Sequence, residues 1–422
     1  MHSDAVISQL SPTLLPMLVR TLVEKNQSPI PGGSCNSLCL FACFILSLTA
    51  VAGCSSSPLS APRGDGGATG GDVAGTPGAA DAAGAAGEDT RGASTTVVNV
   101  FDQIPQFGIY AESDPQDYLP PSGVLSWRHG TEYARRLSPS EQAALGADVA
   151  VRVSYWAQCD EYDRLGAAFL LLEPKGRDPE PTDPRIELVR FITPFSDFTQ
   201  GALGQHVYPD ADVSAYYRAM ADPARDVWIG IAGGSNPHPG DACSDSDGAL
   251  RSGVTAEFAR VGFRYSVDLI STQPSGDSAS LALAGIDENA VKLLPIDGTI
   301  LNDGNAVAGH VIVIVSGHGS SEGGSEYQST QDTVTLNGAA IGTFGTEIDC
   351  APYAQFSPRG NPGIFKRGPF GNPRNWCPGA LVPAHSFDAE LAPGDNSVSL
   401  AMVPTSVPEG SYYAVSVAFS AP

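Results

Sequence analysis

The sequence is short of positive charge. Against 46 Asp and Glu stand 23 Lys and Arg, a formal net charge of −23 over 422 residues. Such a body repels phosphate backbones, which excludes nucleic acid as a partner. A membrane-spanning run is also missing, because the apolar stretch 38–52 is too short to cross a bilayer comfortably. Metal-ligand spacing is missing as well. The seven histidines are scattered, none in a His-x-His or HExxH pattern, and no cysteines stand as CxxC. No metal and no cofactor is therefore expected. Helical signals are scarce. Residues 138–145 (SPSEQAAL) start like a capped helix of about two turns, and 214–220 is the other candidate.

The N-terminal region carries export signals. Residues 38–52 (LCLFACFILSLTAVA) fit the apolar core of a signal peptide, with Arg20 and Lys25 as a weak positive flank. The end, Val51-Ala52-Gly53-Cys54, resembles the lipobox of bacterial lipoproteins. That resemblance implies cleavage before Cys54, lipidation of its thiol and stable anchoring by more than one acyl chain. Residues 1–53 are then the signal peptide and 54–96 a tether. Residues 55–95 are mostly Ser, Pro, Gly, Ala, Thr and Asp without an aromatic, a composition that cannot offset chain entropy by burial. The expected location is the cell envelope, lipid-anchored to the membrane and facing the periplasm or the exterior.

The body, 97–422, reads as all-β. Apolar or alternating runs recur at 147–155, 167–172, 186–192, 227–231, 263–270, 310–315, 333–336, 397–403 and 412–419. Turn residues separate them, and the chain has 47 Gly and 34 Pro. Many short strands at this spacing predict β-sandwiches or jelly rolls. The length suits two, an N-terminal domain at 97–275 and a C-terminal domain at 276–422. Outside the cytoplasm cysteines usually pair. Proximity favours Cys350 with Cys377, which leaves Cys159 and Cys243 paired or both free.

Two constellations concentrate reactive groups. In 159–164 (CDEYDR), Asp160, Glu161 and Asp163 crowd three carboxylates into four positions. If the segment is extended, Glu161 and Asp163 share one face, and Asp160 and Tyr162 the other. The competing reading is a solvated acidic turn. In 317–327 a hydrophobic strand runs into a glycine-rich loop bearing His318, Glu322 and Glu326. Its competing reading is a mobile hairpin loop. The same loop matches G-x-S-x-G at Ser321, with His318 or His385 as base, but that chemistry needs a helix after the serine and a strand follows instead. Asp241, Asp245 and Asp247 suggest a cation loop. An EF-hand frame would put Cys243 and Val254 at the first and twelfth ligand positions, so that motif fails, and a looser site or a solvated insertion remains.

Taken in order, several segments resemble the peptide-N-glycosidase F family. They are CDEYDR (159–164), RFITPF (190–195), RYSVD (264–268), the His318 loop with SEY (325–327), and NWCPG (375–379) followed by Val382-Pro383. The resemblance covers roughly 97–422. It implies two consecutive antiparallel jelly-roll sandwiches packed side by side, with a cleft that receives the core sugars of an N-linked glycan. It implies a hydrolase of linear amide C–N bonds, acting on the side chain of glycosylated Asn in glycopeptides or glycoproteins. Carried over residue by residue, the catalytic pair falls on Asp163 and Glu326. The substrate site falls on Arg164, Glu161, His318, Trp376 and Arg374, and one disulfide on Cys350–Cys377. A monomer is expected.

The sequence also departs from that family's pattern. The strand before RYSVD reads Ile229-Gly230-Ile231-Ala232-Gly233-Gly234, without the family's acid, and Ser316 replaces a Trp. Gly324 and Gln328 stand where the family has a small disulfide, and Cys159 has lost its usual partner. An insertion at about 235–260 offers Asp241 or Glu257 as a substitute acid, and Cys243 as a partner for Cys159. These departures frame the alternative function, a catalytically inactive carbohydrate- or glycoprotein-binding lipoprotein of the same fold. Paired jelly rolls also serve copper monooxygenases, but the body offers only Met220, Met402 and scattered histidines as ligands.

Overall fold

Period-two alternation builds most of the body. In the strand Gly146–Ala157, Val149, Val151, Val153 and Tyr155 are buried, while the residues between them keep contact with solvent. The strand Ile186–Ile192 is different, being buried at every position. A strand covered on both faces lies between two layers, and this one marks where the halves of the protein meet. The structure is a computed structural model that describes residues 95–108, 118–237, 240–274, 281–319, 323–368 and 371–421. The expected signal peptide, Cys54, nearly all of the tether and Ser321 lie outside the described residues.

All pairings between the named strands are antiparallel. The first half has eight principal strands: Thr95–Phe107, Glu132–Arg136, Gly146–Ala157, Leu165–Pro174, Ile186–Ile192, Gln205–Val207, Arg225–Gly233 and Val261–Pro274. Counted in that order, they lie as 1-8-3-6 in one sheet and 2-7-4-5 in the other. The second half repeats the order with Leu281–Val291, Ile296–Asn302, Val307–His318, Gln331–Leu336, Ala339–Gly345, Ala384–Leu391, Gly394–Val403 and Tyr412–Ala421. Both halves are thus jelly-roll sandwiches.

Each sandwich encloses its own core. The first is centred on Tyr155, Phe191, Phe263 and Tyr265, the second on Val311, Val313, Val415 and Phe419. A smaller cluster of Leu165, Ile192, Ile314, Trp376 and Val382 joins them. The halves also exchange structure, since Leu381–Val382 from the second half pairs with Ile186–Ile192 of the first. Arg190, 1% exposed, reinforces the join. It grips Glu187 with Nε at 2.8 Å and Nη2 at 2.5 Å, and its Nη1 donates to Ser316 Oγ at 3.1 Å and the Ala414 carbonyl at 2.6 Å.

Both helical signals correspond to helices. Pro139–Ala144 has a capping box between Ser138 and Glu141. Residues 214–220 split into a 3-10 turn, Ser214–Tyr216, and a short helix, Tyr217–Met220. The helix Ala256–Ala259 inside the insertion was not expected.

Candidate active site

The turn between the strands Gly146–Ala157 and Leu165–Pro174 carries the first acidic constellation. It is neither extended nor a solvated loop. The Gly262 carbonyl accepts from the amides of Gln158, Cys159 and Asp160 at 3.0, 2.9 and 3.1 Å, which curls the chain. Gly262 has to be glycine, because a Cβ there would come within 2.2 Å of Ser235. The curl separates Asp160 from Tyr162 instead of placing them on one face. Asp160 is wholly buried and Tyr162 is 36% exposed.

Asp160 organises this turn. Its carboxylate accepts Arg164 Nε at 2.7 Å and Nη2 at 3.1 Å, the Asn236 amide at 2.7 Å and the Tyr162 amide at 3.1 Å. Thr193, from RFITPF, locks the other side. Its Oγ1 accepts from the Arg164 amide at 2.6 Å and donates to the Tyr162 carbonyl at 3.1 Å. Two segments 29 residues apart in sequence thereby become one unit. The roles of Asp160 and Thr193 escape sequence reading, because both depend on how the turn curls against distant segments.

The second sandwich contributes a stack of flat groups. Arg374, fully buried, lies over the Tyr327 ring at 4.9 Å and the Trp376 ring at 4.7 Å. His318 stacks on Trp376 at 5.6 Å and on Tyr412 at 5.1 Å. Trp376 Nε1 donates to the Gly317 carbonyl at 2.5 Å. His318 Nε2 and Ser316 Oγ are 2.8 Å apart, so the serine links the imidazole to Arg190 of the first sandwich. Burial, and then the charges of Arg190 and Arg374, push His318 down to about 3. The imidazole is neutral at physiological pH and lies behind Trp376, 7% exposed.

Glu326 meets this stack. Arg374 Nη2 donates to its Oε1 at 2.5 Å. Burial raises the Glu326 carboxyl, while Arg374, the Tyr327 hydroxyl and the Gly319 amide pull it down. Arg374 Nε and Nη1 have no partner among the described residues.

Asp163 and Glu326 come together from the two sandwiches. Protein atoms crowd Asp163, though part of its surface still meets solvent. That burial, and then the Glu326 charge, push its carboxyl up to about 7, against the opposing pull of Arg374 and Arg164. Two acids that feel each other in this way titrate as a pair. Burial also raises Glu161, against the charge of Arg359.

Both disulfides flank the site. Cys350 pairs with Cys377, beside Trp376, and Cys159 pairs with Cys243, beside Asp160. The second bond ties the insertion to the acidic turn and brings Asp241 in, 5% exposed. Burial, and next the Asp241 charge, raise the Tyr162 phenol. Burial opposes the Arg164 charge, and the carboxylates of Asp160, Asp163 and Asp241 more than restore it. Glu257, the other substitute acid considered from the insertion, is exposed and lines a different cavity. Asp245 closes its own turn, its Oδ1 accepting from the amides of Asp247 and Ala249 at 3.0 and 2.8 Å. Among the described residues no group of three or more His, Cys, Asp and Glu is placed to hold a metal ion. His385 stacks on Phe344, with ring centroids 4.0 Å apart.

Comparison with known proteins gives one family and one fold. Residues 294–419 match the family model described as Peptide-N-glycosidase F, C terminal. No curated protein matches the sequence. Among solved structures, PNGF-II superposes with a TM-score of 0.58 at 16% identity, over 78% of this chain and 65% of that one. The chain therefore spans less than two thirds of PNGF-II. The crystal structure of peptide-N(4)-(N-acetyl-β-D-glucosaminyl) asparagine amidase superposes with a TM-score of 0.51 at 17% identity, over 78% of this chain and 96% of that one. At such identities the likeness is one of fold. Residues 294–419 are thus similar to the C-terminal domain of peptide-N-glycosidase F, and the described body has the double-sandwich fold of these structures.

Proposed function

We propose that this protein is a glycopeptide amidase. It hydrolyses the side-chain amide of N-glycosylated Asn, leaving Asp on the peptide and a glycosylamine on the sugar. The observation that carries this reading is the pairing of Asp163 with Glu326 across the two sandwiches, with Asp163 pushed up to about 7 by burial and by Glu326.

The asymmetry of the pair assigns the roles. Glu326 has a guanidinium partner that opposes the upward push of burial, so it is the member that takes a proton from the attacking water. Asp163 lacks an arginine of its own, because Arg164 is bound to Asp160, and it holds a proton near neutrality. It gives that proton to the departing amide nitrogen as the C–N bond breaks. The new C–O bond comes from water, so atoms and charge balance. Arg164 and Arg374 offset negative charge that develops on the carbonyl oxygen. In this reading Cys54 carries lipid, residues 54–96 lift the body from the membrane, and the site faces the periplasm or the exterior.

A second reading is a carbohydrate-binding lipoprotein without turnover. Its support is in the sequence, where the strand end Ile229–Gly234 carries no acid and Ser316 stands where the family pattern has a Trp. One experiment separates the two. The protein is incubated with an N-glycosylated peptide in heavy-oxygen water and the peptide is weighed. Labelled Asp with wild type and none with Asp163→Asn supports the amidase. An intact peptide that still binds supports recognition alone.

A further inference from the structure

A second cavity, of about 440 Å³, opens on the first sandwich away from the acid pair. Its size falls within the range of small-molecule sites. The ends of the strands Thr95–Phe107 and Val261–Pro274 form it, together with the insertion helix Ala256–Ala259. Among the described residues, Phe107, Tyr118 and Phe258 give it carbon walls, Arg260 and Arg264 give it positive charge, and Glu257 is the one acid of its lining. In a chain with twice as many acidic as basic residues, this is a local inversion of sign.

The cations are held in place. Arg264 Nε donates to Gln158 Oε1 at 3.1 Å and its Nη1 to the Gln103 carbonyl at 3.3 Å, while Nη2 has no partner among the described residues. Gln158 Nε2 donates in turn to the Phe258 carbonyl at 2.7 Å, which ties the arginine to the insertion helix. The Arg260 guanidinium lies 5.8 Å from the centre of the Phe107 ring. Phe107 and Tyr118 pack at 5.0 Å, and Phe258 is propped by Phe198 at 5.3 Å. A preorganised cavity loses little entropy when it is filled.

We infer that this cavity binds a carboxylated monosaccharide. Arginine forks match a carboxylate, and ring faces accept the C–H face of a sugar. Burial raises the Tyr118 phenol, against the Arg264 charge, so the hydroxyl stays neutral and able to donate. The choice of a sugar as the acidic ligand rests on the amidase reading, whereas the anion preference rests on the cavity alone.

The test is calorimetric titration with N-acetylneuraminic acid, its methyl ester and N-acetylglucosamine. The acid is expected to bind saturably and the two uncharged sugars about tenfold or more weaker, as loss of a charge-assisted contact requires. Arg260→Gln and Arg264→Gln should each weaken the acid by a similar factor. Glu257→Gln, on an exposed helix face where the fold is not at stake, should tighten it. Equal binding of acid and ester overturns the inference. So does no binding of any of the three, or affinity unmoved by all three variants. Asp163→Asn keeps the two readings apart. If it abolishes turnover and leaves binding intact, both stand. If the wild type never turns over yet binds the acid, only the amidase falls.

Discussion

Asp163 and Glu326 carry the same functional group in two surroundings. Glu326 is gripped by Arg374, whose guanidinium is pinned between two aromatic rings. Asp163 sits beside an arginine already bound to Asp160 on two nitrogens. Burial raises both acids, but only one has a cation of its own to resist the rise. Acid and base are therefore distinguished by what their neighbours are committed to.

The strongest way to break this comparison is to remove one acid. Asp163→Asn or Glu326→Gln should each lower turnover by about 10²–10⁴-fold, the usual worth of a positioned acid or base. The double variant should be little worse than either single one, because the pair acts as a unit. In wild type the activity should fall as pH rises through about 7, when Asp163 loses its proton. A pH–rate profile flat from 6 to 9 would contradict the assignment of roles.

The next largest effect concerns the arginine beside Asp163. Arg164→Met leaves the wholly buried Asp160 without its cation. Such a removal costs about 3–5 kcal/mol, visible as a lower urea midpoint. An unchanged midpoint would mean that Asn236 and the Tyr162 amide suffice for Asp160.

Asp163 itself should report its strain through pH. Its carboxyl is pushed up to about 7 when folded, against roughly 3.9 when unfolded. Between those values the folded protein holds a proton that the unfolded chain has released, so stability falls as pH rises. Asp163→Asn removes that slope. The variant should match wild type near the bottom of the window and exceed it above the top. Parallel stability curves at acid and alkaline pH would show that Asp163 is not strained.

The elements of the fold were legible because strand alternation is a local property. The runs at 147–155 and 412–419 announce themselves without reference to anything distant. The Cys350–Cys377 bond could be read from proximity. Cys159–Cys243 spans 84 residues and stayed open, as did the choice between Asp241 and Glu257. What could not be read is what depends on long-range packing. The bend of 159–164 needs the Gly262 carbonyl, and the locking of Arg164 needs Thr193. Arg190 reads as one polar residue in a buried strand, yet it bridges two sandwiches through Ser316 and Ala414. No periodicity encodes such contacts.

The smallest expected effect sharpens the contrast from the opposite sign. His318 is pushed down to about 3 by burial and by Arg190 and Arg374, against roughly 6.5 unfolded. Between those values the unfolded chain binds a proton that the folded protein refuses, so this group adds stability as pH rises. His318→Gln should flatten that acid-side slope at a cost of about 1 kcal/mol in lost stacking. The alkaline limb of activity near pH 7 should stay where it is, because a neutral imidazole gives up no proton there. Displacement of that limb in His318→Gln would show that the stacked imidazole, and not Asp163, controls the acid of the site. An unmoved limb with a flattened acid slope would leave His318 as the support on which Trp376 and Arg374 hold Glu326.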